Sequence, residues 1–268
     1  MTQGYRKTRL PATRLLTIQT MNMTTGKKAH YVSGFLEIDV TEARRIIREA
    51  KSSGTYISFT GWLLKCLASA MRDFPEVNAY RKGRSLFSFE TVNIGIMVER
   101  ELEGNKVPLP YLVKDCDTKS VHDISSEIAS VKEGDVGGDL VIADRQSARI
   151  AELAVWLPGP LSRLGARIFF RDPVRKHKMM GTVGVTAVGM FGKSGGWPLP
   201  IPNVHPLGVA VGGISRKPTY TGDGDRLEPR EILDLTLMFD HDVIDGAPAA
   251  RFSTRLIELM ESAHGLEL

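Results

Sequence analysis

Alternation of apolar and polar residues along this chain predicts a series of strands. The first is YVSGFLEIDV at 31–40, and a hairpin turn is predicted within YRKGRSLF. Further strands are predicted at VNIGIMVER, VPLPYLVKD, GTVGVTAVGMFG, HPLGVAVGGISR and EILDLTLMFDH. In the last of these, the two-residue period of a strand puts four apolar residues on one face and ends that row at His241. The four are Leu233, Leu235, Leu237 and Phe239.

Helical spacing of apolar residues predicts four helices among these strands. They cover TEARRIIREAKSSG, FTGWLLKCLASAMRDF, SVHDISSEIASVKEG and APAARFSTRLIELMES. Gly54 follows the first helix and Pro75 stops the second, as helix-ending residues do. Residues 1–28 are predicted to form an irregular N-terminal arm.

Residues 133–180 combine a helical pattern with a basic cluster. Pro158 and Pro160 interrupt the pattern, and an arginine recurs every four residues from Arg163 to Arg171. We expect a helical insertion here. A basic stripe beside an apolar face is compatible with three roles. The segment packs against the domain near the mouth of an active site, it binds an acidic partner such as a carrier domain, or it lies on an anionic membrane surface. The prolines make a single long helix on a membrane the least favoured of the three.

Strands and helices mix along the chain without the regular alternation of a doubly wound sheet. Several strands are predicted to be antiparallel. This organisation favours an α+β fold, with a mixed sheet that carries helices on one face. No internal repeat or linker divides the sequence, so we expect residues 1–268 to form a single domain.

Charge and composition narrow the classes of function. The formal net charge is +4 and 42% of residues are hydrophobic, which is ordinary for a soluble globular protein. Basic residues concentrate before Glu37 and between Arg163 and Lys178. These clusters are either solvated faces or a surface for an anionic partner. Nucleic acid is not expected, because aromatic residues do not interleave with them.

Cysteine content and hydropathy bear on location. Cys66 lies in a helical pattern and Cys116 in a loop, so the pair does not indicate a disulfide framework. The N-terminus has no apolar leader, and no apolar run approaches the roughly 18 residues that span a bilayer. We therefore expect a cytoplasmic protein without a membrane partner.

Candidate chemistry lies in HDVIDG, residues 241–246. His241 ends a strand, and Asp245 with Gly246 leads into the last helix, which has Pro248 in its first turn. Taken alone, the pattern fits either a catalytic histidine or a structural one followed by an aspartate that favours a helix N-terminus. No further ligands cluster nearby in sequence, so no metal is expected.

The run FDHDVIDGAPAARF resembles the signature of the dihydrolipoamide acyltransferases, the catalytic domain of 2-oxoacid dehydrogenase complexes. A related HxxxDG motif occurs in chloramphenicol acetyltransferase, which is similar in fold. PEVNAYR, GTVGVTAVGMFG and the region from VNIGIMVER to TKSVHDIS resemble further segments of the family. The resemblance covers about residues 55–131 and 181–262, is loose over 1–54 and fails over 133–180.

The resemblance implies acyl transfer between coenzyme A, as a substrate, and the thiol of a dihydrolipoyl group, without a covalent acyl-enzyme. His241 would be the general base on the attacking thiol, and Thr186 would donate a hydroxyl to the oxyanion. Asp245 would hold the histidine loop through an arginine, for which Arg14 is the candidate, and Gly246 would permit a tight turn. The family further implies a homotrimer, or a multiple of trimers, with the histidine and the hydroxyl supplied by different chains.

Three departures from the family pattern qualify these expectations. No lipoyl domain precedes the catalytic-type sequence, so a lipoyl or other carrier domain is expected in trans. Asp242 follows the histidine where arginine is usual, and a carboxylate directed at the imidazole would favour imidazolium. His205, in PNVHP, replaces part of a Pro-Pro-Glu-like stretch and leaves the acyl group and the acceptor open. The alternative function is a non-catalytic trimeric scaffold subunit related to 2-oxoacid dehydrogenase cores.

Overall fold

Nine strands and six helices make up the part of the chain that the computed structural model describes, residues 4–26, 29–102, 105–133, 171–187, 189, 195–202, 205–221 and 226–266. In chain order they are β1 (Tyr5–Arg9), α1 (Ala12–Thr25), β2 (Tyr31–Asp39), α2 (Thr41–Ser52), α3 (Phe59–Asp73), β3 (Ala79–Lys82), β4 (Ser85–Phe89), β5 (Ile94–Leu102), β6 (Asn105–Val113), α4 (Val121–Glu133), α5 (Pro173–Met180), β7 (Val183–Ala187), β8 (Leu207–Thr221), β9 (Arg226–Asp240) and α6 (Gly246–Glu261).

Six of the strands form one mixed sheet in the order β2-β9-β8-β7-β5-β6. In it β7 runs parallel to β5 and β8, and the other neighbours are antiparallel. The strands β1, β4 and β3 form a second, antiparallel sheet. Helices α2, α3, α4 and α6 share one hydrophobic core with the larger sheet. The predicted α+β fold, with a mixed sheet, is confirmed.

The core lies on one face of the larger sheet because strand alternation sends apolar side chains there. In β9, Leu233, Leu235 and Leu237 are completely buried and Phe239 nearly so, as the apolar row predicts. The next residue in that row, His241, lies just beyond the strand. The buried apolar row of β9 therefore stops at the histidine.

The prediction of an irregular arm over residues 1–28 is wrong for most of that segment. β1 pairs along its whole length with β4, and α1 follows it. Four of the five residues of β1 are exposed, and α1 buries only Ile18. Neither element therefore shows a strong amphipathic pattern. Main-chain pairing with a neighbouring strand, which leaves no mark in the side-chain pattern, creates β1.

Most of the predicted helical insertion, residues 134–170, lies outside the described residues. At its borders α4 ends at Glu133 and α5 begins at Pro173. Asp172 caps α5 by accepting a hydrogen bond from the N–H of Val174 at 3.3 Å. Within the described ranges, no helix is both long and apolar enough to cross a membrane.

Gly181 joins α5 to β7, and its replacement by alanine should strongly destabilise the protein. Its φ of 70° and ψ of −171° lie in a region that is nearly exclusive to glycine. A Cβ atom there would also overlap the carbonyl oxygen of Asn93. We expect Gly181→Ala to lower the free energy of unfolding by about 3 kcal/mol or more, measured by urea unfolding.

Gly54→Ala is the matched control for this prediction. Gly54 also has a positive φ, of 88°, but no atom lies within 4 Å of the position its Cβ would take. This variant should carry only the backbone cost of about 1–2 kcal/mol. Equal losses in the two variants would contradict a steric role for the contact with Asn93.

Candidate active site

His241 lies in the turn between β9 and α6, and hydrogen bonds hold its backbone on both sides. Its N–H donates to the carbonyl oxygen of His30 at 2.6 Å. Its own carbonyl oxygen accepts a hydrogen bond from Nη2 of Arg14 at 2.7 Å. The N–H of Ile244 closes the turn on the carbonyl oxygen of Asp240 at 2.9 Å. These bonds hold the backbone from which the imidazole projects.

The imidazole of His241 is mostly buried, with 22% of its side chain exposed. Its Nδ1 atom is buried and has no hydrogen-bond partner among the described residues. Its Nε2 atom lies 3.6 Å from Oδ1 of Asp245, which is longer than a hydrogen bond. Because Nδ1 is inaccessible, proton exchange with a ligand would have to run through Nε2.

Asp245 forms an ion pair with Arg14, as the resemblance implied. Nη1 of Arg14 lies 3.2 Å from Oδ2 of Asp245, while Nη2 of the same guanidinium binds the His241 carbonyl. One arginine therefore ties the aspartate and the histidine backbone together. Asp245 also caps α6, since its Oδ1 accepts the N–H of Gly246 at 2.9 Å.

Gly246 does not have the role that the sequence suggested. It is the first residue of α6 and is absent from the residues with positive φ. No atom lies within 4 Å of the position that its Cβ would occupy. Within this chain, the turn therefore makes no demand that only glycine meets.

Thr186 lies in β7, far from His241 of the same chain. Val183 and Val185 point into the core, so alternation sends the Thr186 side chain to the other face of the sheet. Thr186 pairs with Ala210, which pairs with Thr236 in β9, five residues before the histidine. Two strand spacings and five residues amount to roughly 19 Å between the two backbone positions. One chain does not bring these two residues together.

Asp242 does not direct its carboxylate at His241. The side chain is buried, and its Oδ1 lies 2.9 Å from Nδ1 of His30 while its Oδ2 lies 3.1 Å from Nη2 of Arg81. The expectation that this unusual aspartate could favour imidazolium at His241 depended on its orientation. The carboxylate is instead occupied by two other partners.

A polar cavity of about 230 Å³ lies beside this turn. Lys176, His205 and Asp240 line it, together with Arg81 and Asp242. Burial lowers the pKa of His205 to about 4, and Nε2 of this histidine donates to the carbonyl oxygen of Met180 at 2.9 Å. Burial also lowers the pKa of Lys176. His205 thus lines a polar cavity as a neutral side chain.

Asp240 should make the stability of the protein depend on pH. Burial, strengthened by the negative charge of Asp242, raises its pKa from 3.8 to about 6. Between these values the unfolded chain loses a proton that the folded chain keeps, so stability should fall as pH rises from about 4 to about 6. The full effect corresponds to about 3 kcal/mol.

Asp240→Asn should remove this pH dependence while its side-chain oxygen still accepts the N–H of Asp242. We expect the variant to match the wild type at pH 4 and to exceed it in free energy of unfolding at pH 8. Urea unfolding at both pH values, at one fixed chain concentration, measures the difference. A variant with the same pH dependence as the wild type would show that Asp240 is not the group responsible.

Sequence reasoning did not identify His30 or Arg81 as neighbours of the site. Both are single polar residues without a motif, and they contact Asp242 across 212 and 161 residues of sequence. The only available signal was Asp242 itself, an acid directly after the histidine that requires partners when buried. In the described ranges, no cluster of three or more His, Cys, Asp or Glu residues is arranged to hold a metal ion.

Comparison with known families identifies the group of proteins to which this chain is similar. The family model for the 2-oxoacid dehydrogenases acyltransferase (catalytic domain) matches residues 2–151 and 174–268. The chain belongs to this family. The resemblance predicted from the motif is therefore confirmed. The internal segment without a match, residues 152–173, is shorter than the stretch 133–180 over which the resemblance was expected to fail, because the family model also matches residues 133–151 and 174–180.

Curated members of the acyltransferase family match most of this chain. The dihydrolipoyllysine-residue acetyltransferase component of the pyruvate dehydrogenase complex of Cupriavidus necator is 29% identical over 239 residues, which is 86% of this chain and 35% of the relative. The succinyltransferase component of the 2-oxoglutarate dehydrogenase complex of Staphylococcus aureus is 26% identical over 240 residues, 87% of this chain and 48% of the relative. The chain thus spans half or less of the length of these two relatives.

Solved structures of the acyltransferase family share the fold. Dihydrolipoamide acetyltransferase of Azotobacter vinelandii superimposes with a TM-score of 0.63 at 23% identity, covering 97% of this chain and 94% of that one. Chloramphenicol acetyltransferase gives a TM-score of 0.53 at 13% identity, covering 95% of this chain and all of that one. At such identities the likeness shows the fold alone, which is the one predicted.

Proposed function

We propose that residues 1–268 form one acyltransferase catalytic domain that moves an acyl group between coenzyme A and a thiol or other small acceptor. The observation that carries the proposal is the arrangement around His241. A partly accessible imidazole lies directly after the strand, and Arg14 ties both its backbone and Asp245 in place. Membership of an acyltransferase family supplies the chemistry that such a histidine would perform.

His241 is the proposed general base. A thiol is a weak nucleophile while it carries its proton, and the thiolate is the species that attacks a thioester. Nε2 is the nitrogen positioned to take that proton, because Nδ1 is buried. Asp245 and Arg14 are proposed to hold the histidine rather than to react. Attack is direct, so no acyl-enzyme forms.

Thr186 is the proposed donor to the oxyanion that develops on the thioester carbonyl. Its distance from His241 within one chain means that the two residues must come from different chains. The proposal therefore includes a homo-oligomer, a trimer or a multiple of trimers, in which each site lies between two chains. The face of β7 opposite the hydrophobic core would then face a neighbouring chain's histidine turn.

The proposed acceptor is a dihydrolipoyl group carried by a domain in trans, and coenzyme A is the other substrate. The relatives named above act on dihydrolipoyllysine residues, as their names state. For its partners, we propose that the protein belongs to a 2-oxoacid dehydrogenase complex.

Release of free coenzyme A thiol in the presence of free dihydrolipoamide tests the function. Acetyl-CoA and succinyl-CoA should be compared, with the acyl product identified by mass spectrometry. We expect acceptor-dependent thiol release above the rate without protein. Release equal to that rate with both donors would favour the scaffold alternative, in which the oligomer persists without turnover.

A further inference from the structure

Asp242 is a buried carboxylate whose two oxygen atoms have separate cationic or hydrogen-bonding partners. The residue is 1% exposed. The Nδ1–H of His30 donates to its Oδ1 at 2.9 Å, and Nη2 of Arg81 donates to its Oδ2 at 3.1 Å. A carboxylate taken out of water is costly unless it is paired and hydrogen-bonded. This arrangement provides both partners and restricts the side chain to one orientation.

The partners of Asp242 come from two distant parts of the fold. His30 precedes the edge strand β2 of the larger sheet, and Arg81 lies in β3 of the smaller sheet. The contact therefore connects both sheets to the turn that contains the histidine. Fully satisfied polar networks of this kind favour one conformation over alternatives of similar packing.

The network reaches His241 through His30. The side chain of His30 binds Asp242, while its carbonyl oxygen accepts the N–H of His241 at 2.6 Å. On its other side, Nε2 of His30 lies 3.0 Å from Oγ1 of Thr25, at the end of α1. The beginning of the same helix carries Arg14, which binds the His241 carbonyl. Both ends of α1 therefore help to hold the turn, Arg14 directly and Thr25 through His30. Asp242 is the carboxylate that His30 binds.

We propose that Asp242, held between His30 and Arg81, is a positioning residue that places the imidazole of His241 for proton transfer. The inference deepens the proposed function, since it concerns the residue assigned there as the base. Asp242 does not touch a substrate or the imidazole. It acts by keeping the backbone on both sides of His241 in one place.

Loss of the negative charge should therefore affect turnover more than binding. Asp242→Asn keeps the size and one acceptor of the side chain but leaves Arg81 without its counter-ion. A base displaced by a fraction of an ångström loses rate steeply, so we expect kcat to fall about tenfold with KM changed less than about twofold. Asp73→Asn is the control, because Asp73 forms an exposed ion pair with Arg255 at 2.8 Å on another surface. That variant should retain wild-type kcat.

Charge reversal separates positioning from general packing. Asp242→Arg alone puts two cations together, and Arg81→Asp alone puts two carboxylates together, so each should lower kcat by about 30-fold or more. The double variant, Arg81→Asp with Asp242→Arg, restores an opposite pair and should return kcat to within about fivefold of the wild type. A double variant no more active than the weaker single variant overturns the proposal. If a charge-reversed single variant does not fold, Asp242→Asn, Arg81→Gln and their combination provide the same cycle without buried like charges.

An activity-independent measurement distinguishes failure of this inference from failure of the proposed function. Diethyl pyrocarbonate modifies accessible imidazoles, and mass spectrometry of peptides gives the rate at each histidine. His122, exposed on α4, is an internal reference in the same sample. Asp242→Asn should raise the rate at His241 at least about threefold relative to His122, because a released turn exposes the ring more often. An unchanged ratio overturns the positioning role, whether or not the wild type transfers acyl groups.

Discussion

Replacing His241 with alanine should lower kcat for acyl transfer at least about 100-fold, because a positioned general base contributes roughly 10²–10⁴-fold. The proposed base acts on the thiol proton during attack and adds little to ground-state binding. KM should therefore change much less than kcat. The imidazole is mostly buried, but the contacts that hold the turn use its backbone, so the protein should remain folded.

The pH dependence of this variant provides a further test. An ordinary thiol has a pKa near roughly 8.5, and above that value solvent removes the proton without help from a base. The deficit of His241→Ala should therefore shrink as pH rises past the pKa of the acceptor thiol. Steady-state kinetics with free dihydrolipoamide across this range measure the change.

His122→Ala is the matched control for the loss at His241. His122 is exposed on α4 and has no place in the site, so its removal should leave kcat unchanged. Near-normal turnover in His241→Ala at neutral pH would exclude the histidine as the base. A deficit that stays constant across the pH range would assign His241 a role other than proton removal.

Mixing two inactive variants should restore activity. Thr186→Ala should cost about 10²-fold, as loss of one oxyanion donor does, whereas Thr186→Ser should retain most of the rate. If each site takes its histidine from one chain and its hydroxyl from the next, random oligomers of His241→Ala and Thr186→Ala chains contain intact sites. At equal amounts, half of the chains can supply each group, so about a quarter of the wild-type rate should return.

The control for this experiment pairs Thr186→Ala with a chain that carries both substitutions. No site can then obtain an intact hydroxyl, and only half of the chains supply a histidine, so activity should be about half of the Thr186→Ala level and never above it. Co-expression with two affinity tags yields the mixed oligomers, and light scattering should give a mass that is a multiple of three chains. A fully active monomer, or mixed oligomers without restored activity, would refute a site shared between chains.

Much of the fold could be predicted because local patterns report which face of an element is buried. The apolar row from Leu233 to Phe239 predicted the buried face of β9 and a histidine at its end, and both follow from the two-residue period. Four helices were predicted where they occur, since each shows helical spacing of apolar residues. β1 and α1 escaped prediction because most of their residues remain exposed and therefore carry little periodic signal.

In the candidate site, too, local features could be predicted from the sequence and long-range contacts could not. The resemblance of one continuous run, FDHDVIDGAPAARF, to a family signature nominated His241 and Asp245, and their proximity follows from a short turn. Long-range contacts are different, because chain folding, not local spacing, brings Arg14 to His241 across 227 residues. Packing also turns the Asp242 carboxylate toward His30 and Arg81, and sheet register separates Thr186 from the histidine of its own chain. The type and burial of each element are local properties that a one-dimensional pattern records, whereas the direction of a polar side chain and the identity of its partner depend on the three-dimensional arrangement of distant segments.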